Sequence, residues 1–382
     1  MTLLRWRTAG ESHGKALVAL VEGIPAGLEL NMDRVDADLA RRQCGYGRGG
    51  RMKIETDRAE LLSGTRAGRT LGSPIALLVP NKDHVIEKLP VPEDPRPGHA
   101  DLAGCQKYGH RDPRAVLERA SARETAARVA VAGVARQVLE ALGIEVFAHT
   151  TALGGVEADP GAFEAAGDQR HALRSKSEFL SLDPAADEAM KAVVDAAKEA
   201  GDTLGGCFEV RALGLPPGLG SYQSGPERLT ARLGAALFSI PAIKGVEFGI
   251  GFEVARRPGS MVHDEITARL ADAGWGRYAR ATNRAGGLEG GMSTGEALIA
   301  RAAMKPIPTL RQGVPTVRFD NLEPLQATWQ RSDVTSVPAA GVVGESMVAL
   351  ELTTVLLEQF GGDSMDQLRE ALEAHRRRLT EV

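Results

Sequence analysis

Short apolar runs set between polar and glycine-rich turns mark strand-like pieces at Leu3 to Arg7, Ala16 to Val21 and Met52 to Glu55. A helix-like stretch, Arg34 to Gln43, separates the last two, and Asp33 stands where its N-cap belongs. The longest helical pattern runs from Arg114 to Leu142. Alanine and valine cover several of its faces, which predicts a buried helix packed closely by its neighbours, and Gly143 stops it before a strand-like Ile144 to Ala148. Asp187 to Ala200 reads as an amphipathic helix, Cys207 to Leu213 as a strand and Arg228 to Phe238 as a further helix. Ile299 to Met304 is a strand entering a Pro306-Ile307-Pro308 turn. Ala339 to Phe360 is a long apolar helix with Pro338 in its first turn, where proline is tolerated. Asp363 to Arg378 closes the chain as a charged, exposed helix, and the glycine- and charge-rich segment Ala255 to Gly291 reads as a long loop and candidate lid.

Strands and helices mix without regular alternation, so the expected class is α+β and not a doubly wound sheet. No tandem repeat or dividing linker stands out, which predicts a single layered domain. Composition adds limits. With 382 residues, 43% hydrophobic and 25% charged, the chain is an ordinary globular one, long enough for one large or two medium cores. Cys44, Cys105 and Cys207 are widely spaced and form no CxxC pair, so neither a disulfide framework nor a zinc site is indicated and a reducing, cytoplasmic location is expected. No signal-peptide pattern precedes Arg5 and Arg7, and no uninterrupted apolar stretch is long enough for a membrane span. A net charge of −4 with 4% aromatic residues weighs against a nucleic-acid surface.

The informative charge is local. Arg41, Arg42, Arg48, Arg51 and Lys53 follow one another with no acidic residue among them. The same loop, Gly45-Tyr46-Gly47-Arg48-Gly49-Gly50, spells GxGxxG, but a helix precedes it and a strand follows, the reverse of a dinucleotide site. What remains is a glycine loop whose backbone amides and arginines suit an anion. Upstream, Gly10-Glu11-Ser12-His13-Gly14 spells the GxSxG of a hydrolase elbow with Ser12 as nucleophile. Its surroundings read as strand, glycine loop, strand, and the spelling recurs at Gly291-Met292-Ser293-Thr294-Gly295, so a serine hydrolase is kept only as the alternative function.

Pro95-Arg96-Pro97-Gly98-His99-Ala100-Asp101 is a stiff loop that presents an arginine and a histidine with little further ordering cost. In Glu118-Arg119-Ala120-Ser121-Ala122-Arg123-Glu124, Arg119 and Arg123 lie four apart on one helical face, and ion pairs with Glu118 or Glu124 are the plain structural reading. Arg331-Ser332-Asp333 precedes the helix that carries Pro338. So many anion-type sites point to a ligand with several negative charges, since each arginine pairing at about 4 Å contributes roughly 4 kcal/mol before desolvation.

Taken in order, TAGESHG, RRQCGYGRGGRMKIE, PRPGHAD, LERASARET, AIKGVEFG, GGLEGGMSTG, MKPIPT and RSDVTSVPAAGVV resemble the successive signatures of the chorismate synthases, from Arg5 to about Asp363. The resemblance implies conversion of 5-enolpyruvylshikimate 3-phosphate to chorismate and phosphate by anti-1,4-elimination, with reduced FMN and no net redox change. It assigns Arg42, Arg48, Arg51, Arg96, Arg123 and Arg331 to the substrate. FMN would be held by Arg119, Ala120, Ser121, Pro241, Ala242, Gly290, Lys305, Pro306, Ile307, Pro308, Thr309 and Arg331. His13 would protonate or hydrogen-bond the departing phosphate, a general-acid task that histidine suits. His99 would lie beside the flavin and steady its reduced form, and Asp333 with Ser121 would help move the C6 hydrogen.

The resemblance further implies a layered β-α-β sandwich with internal duplication and a homotetramer. Residues 1–363 would form the catalytic domain, with 364–382 a charged helix of the same domain. Reduced FMN would come from an external flavin reductase, any NADPH contact falling on Arg42 and Arg48. His110, where the family often has phenylalanine, reads as a surface variation.

Overall fold

The structure, a computed structural model, describes residues 3–49, 55–269, 274–329 and 333–382. Strands β1 (Arg5–Ala9) and β2 (Ala16–Glu22) form an antiparallel hairpin with Arg5 opposite Glu22 and Ala9 opposite Val18. Leu17, Ala19 and Val21 point into the core while Val18 and Leu20 face outward, the period-two pattern of a half-buried sheet. With β3 (Glu60–Leu61) and β4 (Ile75–Pro80) they make a sheet of order β1-β2-β4-β3. A second sheet joins β5 (Glu145–Leu153), β6 (Val156–Glu157), β7 (Gly206–Leu213), β8 (Ile243–Phe248) and β9 (Leu298–Met304) in the order β8-β9-β7-β5-β6. The pairings within both sheets are antiparallel.

The main helices are α1 (Met32–Gln43), α2 (Asp101–Tyr108), α3 (Arg114–Ala120), α4 (Thr125–Glu140), α5 (Pro184–Ala200), α6 (Leu229–Phe238), α7 (Val337–Phe360) and α8 (Met365–Arg378). Helix α4 packs against β2 and β4 on one side and α7 on the other, and α7 packs against β5 and β7. Small residues allow these close approaches: a Cβ on Gly344 of α7 would stand 2.3 Å from the fully buried Phe208 ring of β7. One hydrophobic cluster runs from Leu4 through α4, the second sheet and α7 to Leu368, and the class is α+β. Helix α7 is 24 residues long and apolar enough to cross a membrane by length and composition, yet most of it is buried inside the protein.

Several expectations change in detail. Asn31, not Asp33, caps α1, its side chain accepting from the Asp33 amide. The predicted Arg114 to Leu142 helix is two, because Ser121 is extended (φ −64°, ψ 141°) and a 3-10 turn, Ala122–Glu124, intervenes. The strand expected at Ile144 to Ala148 continues to Leu153, and the segment Ala255 to Gly291 is not a bare loop: it holds 3-10 turns and a small hairpin, Ile266–Ala268 with Tyr278–Arg280. The last helix starts at Met365 and is not wholly exposed, since Met365, Leu368 and Leu372 are buried. Strand β4 and helix α2 were not foreseen. The strand expected at Met52 to Glu55 falls largely outside the described residues.

Candidate active site

The turn between β1 and β2 carries Ser12 and His13. Asn81, just past the end of β4, fixes this turn by donating its side-chain amide to Glu11 O (3.1 Å), Ser12 O (3.3 Å) and Gly14 O (2.8 Å). Ser12 is buried, with its amide on Glu118 O and its hydroxyl 3.2 Å from that of Ser121. The turn connects two antiparallel strands, so the strand-to-helix geometry of a nucleophile elbow is missing and the hydrolase alternative has no support.

His13 is partly exposed. Its Nδ1 lies 3.0 Å and 3.1 Å from the two Glu118 oxygens, and its amide donates to Glu118 Oε2 at 2.8 Å. Its Nε2 lies 3.9 Å from Asp83 Oδ2. Burial alone would raise the Glu118 carboxyl, but the hydrogen bonds from the His13 ring and backbone, with Arg114, hold it below the usual glutamate range. Glu118 therefore meets His13 and Arg114, not the arginines beside it in the chain.

The helix break at Ser121 sends Arg119 and Arg123 in different directions, and the shared face expected of them does not form. Arg119 reaches back to Gly10 O and Thr8 O, both at 3.1 Å. Arg123 turns inward and is clasped by Asp57 (2.6 and 2.7 Å) and by Asn81 Oδ1 (2.9 Å). Arg42 of α1 donates to Thr125 Oγ1 and Ala122 O, and its Nη1, 3.6 Å from Asp57, is buried with no hydrogen-bond partner among the described residues. Burial, reinforced by the nearby Arg123 and Arg48 and opposed by Asp57, pulls the Arg42 guanidinium down to about 10.

Arg48 pairs with Asp333 and Ser336 Oγ, each at 2.9 Å, and Asp333 also accepts from the Gly49 amide. The arginine loop thus has acidic partners that the sequence hid, because they come from 15 and 285 positions away. Arg42, Arg48, Arg123, Asp333, Ser121 and His13 stand in one connected region. Arg51 and Arg331 lie outside the described residues.

A second network surrounds His99. Its Nδ1 is 2.6 Å from Asp101 Oδ1, and Arg96 closes the group with Nε and Nη2 on the same carboxylate at 2.7 and 3.0 Å. Lys305 donates to Gly98 O, and its amide bonds Ala242 O at 3.0 Å, so the MKPIPT turn and Ala242 meet the histidine loop. Ala242 holds a left-handed φ of 71°, a strained conformation of the kind found at ligand sites. The Lys305 ammonium is pulled below its ordinary range by burial and by Lys244. A half-buried cation beside glycine and proline backbone fits a phosphate-bearing ligand, as does the Arg42 Nη1, which makes no hydrogen bond among the described residues. Pro306 and Pro308 flank Ile307, whose carbonyl accepts from Thr203 Oγ1 at 2.7 Å, while Thr309 is buried. Gly290 stands at the tip of a separate small hairpin, Leu288–Glu289 with Met292–Ser293.

Between described residues no side-chain hydrogen bond crosses from the His13 network to the His99 network, and the packing of α2 on α3 sets their relation. Two surface cavities of about 590 Å³ each lie along β1, α6 and α7, and none of the expected site residues lines them. His110 is exposed and stacks on Tyr108, in keeping with a surface position. Sequence reasoning missed Asp57 and Asn81 altogether and misread Glu118. Asp101 stood inside the PRPGHAD motif, where its place two residues after a histidine was the available signal.

The family model described as chorismate synthase matches residues 4–357. The chorismate synthase of Trichlorobacter lovleyi is 55% identical over 381 residues, covering 96% of this chain and 97% of that protein. The Geobacter sulfurreducens chorismate synthase is 50% identical, covering 98% of each. A crystal structure of a chorismate synthase superimposes with a TM-score of 0.81 at 41% identity, over 100% of this chain and 99% of the other. A match this long at this identity, joined to a site rich in arginine and histidine, means that the chain belongs to the chorismate synthase family.

Proposed function

We infer that this site carries out the family's reaction, the anti-1,4-elimination of phosphate from 5-enolpyruvylshikimate 3-phosphate to give chorismate, in the shikimate pathway of aromatic amino acid biosynthesis. The enzyme is a carbon-oxygen lyase. The observation that carries the reading is the convergence of Arg42 and Arg48 from one stretch of the chain with Arg123 from another, with the buried Arg42 Nη1 lacking a hydrogen-bond partner among the described residues. Such a constellation favours an anionic substrate over solvent.

In this reading Arg42 and Arg48 bind the substrate's anionic groups, Arg123 supports them from its Asp57 clasp, and Arg96 is held by Asp101 for the same purpose. Arg51 and Arg331 are proposed for the same role on the family resemblance. His13 gives a proton, or a hydrogen bond, to the departing phosphate. The flavin site is proposed at Arg119 to Ser121, Pro241, Ala242, Gly290 and Lys305 to Thr309, also with Arg331. Reduced FMN, when bound, lends the electron density that helps expel the phosphate. His99 would lie beside that group and steady its anionic form, and Asp333 with Ser121 would help move the C6 hydrogen. Residues 1–363 are proposed as one domain of layered β-α-β form with internal duplication, and the burial of Met365 and Leu368 favours counting 364–382 with it. A homotetramer, a cytoplasmic location and an external source of reduced FMN complete the proposal, with any NADPH contact at Arg42 and Arg48.

Anaerobic turnover with chemically reduced FMN tests it. Phosphate release should require the flavin, and His13→Ala and His99→Ala should each lower kcat by roughly 10²- to 10⁴-fold. Equal turnover without flavin would overturn the reading.

A further inference from the structure

The two oxygens of Glu118 do more than neutralise a neighbour. Both face the same ring nitrogen of His13, one of them also takes the His13 backbone amide, and Arg114 Nη1 approaches the other at 3.3 Å. The carboxylate is buried, with a side-chain exposure of 1%, while the ring it holds is 21% exposed. Among the described residues the charged groups that face His13 are Glu118 from α3 and Asp83 from the segment after β4, and Arg114 of α3 faces Glu118. A carboxylate only accepts, so a contact of 3.0 Å to Nδ1 is a hydrogen bond only if Nδ1 carries a proton.

We propose that Glu118 is a positioning residue for the elimination: its carboxylate fixes the proton on Nδ1 of His13 and leaves Nε2 as the nitrogen through which acid chemistry runs. The bond to the backbone amide locks the ring's place along the chain, and the bond to Nδ1 locks its rotation. A protonated His13 then gives its Nε2 proton to a phosphate oxygen as the C–O bond breaks, keeps the Nδ1 proton, and needs no ring flip between turnovers. The ionised state of Glu118, favoured despite its burial, agrees with this role. The proposal rests on the reading of His13 as the acid, but the tautomer can be observed without turnover.

Long-range ¹H–¹⁵N spectra of histidine-labelled full-length enzyme identify the protonated nitrogen of neutral His13. In the unaltered enzyme the signature should be Nδ1–H. Glu118→Ala should shift it toward Nε2–H and lower kcat at least about tenfold while KM for the enolpyruvyl substrate moves less than about threefold. Glu118→Gln keeps an acceptor and the shape of the side chain, so it should retain Nδ1–H with a smaller loss of kcat, and it decides the matter if the alanine variant does not fold. An Nε2–H signature in the unaltered enzyme, or an unchanged kcat in whichever of these variants folds, would overturn the proposal. Lack of flavin-dependent turnover in the unaltered enzyme would sink the functional reading instead, and the spectra would still decide the tautomer.

Discussion

Asp101 shows how one side chain couples stability to chemistry. Burial by itself would raise its carboxyl, but bonds from His99 and Arg96 hold it well below the usual aspartate range. A folded-state pKa below the unfolded value means that the contribution is complete above about pH 4 and is lost as pH falls through the folded value. Thermal melts from pH 5 down to about pH 2 should therefore show the unaltered enzyme keeping its advantage over Asp101→Asn down to about pH 4 and losing it progressively below, and melting curves that stay parallel down to about pH 2 would count against the clasp. At this scale the two candidate histidines stood out in the sequence, within PRPGHAD and GESHG. Their partners were only half legible. Asp101 sits two positions from His99, whereas Glu118 is 105 positions from His13, and no spacing rule reports a contact that only the fold creates.

Elements carry a different lesson. Alanine and valine continue the helical pattern through residues 114 to 142, and local propensity therefore favours one helix. The break at Ser121 is a tertiary decision: it lets Arg119 meet the β1–β2 turn while Arg123 enters the core with Asp57. Packing between α2 and α3 should matter as much, since these helices bring Asp101 and Glu118 to their histidines. A Cβ on Gly104 of α2 would stand 2.3 Å from Val116 Cγ1 and 3.1 Å from its Cβ. Gly104→Ala should thus destabilise by about 1–3 kcal/mol despite its better helix propensity, and lower kcat/KM. Adding Val116→Ala should restore much of both, as read by urea unfolding and turnover; a harmless Gly104→Ala would mean that the helices can slide apart freely.

Across the whole molecule, Glu345 ties together elements that are distant in sequence. Its carboxylate, buried midway along α7, accepts from Arg41 of α1, Arg136 of α4, Arg174 and the Ala148 amide of β5. Burial alone would raise it, but the three guanidinium groups hold it well below the ordinary range. Glu345→Gln leaves those cations without their shared counter-charge and should cost about 3–5 kcal/mol in urea unfolding at neutral pH. A loss below about 1 kcal/mol would show that solvent or Asp38 compensates. The sequence by itself determined the α+β class, most helices and the approximate length of α7, because apolar periodicity and glycine-proline punctuation act over a few residues. Only the tertiary structure decided where the long helix breaks, which acid holds which base, and that Arg42, Arg48 and Arg123 share one field. Those outcomes depend on packing and charge burial between residues up to hundreds of positions apart, which no local pattern encodes.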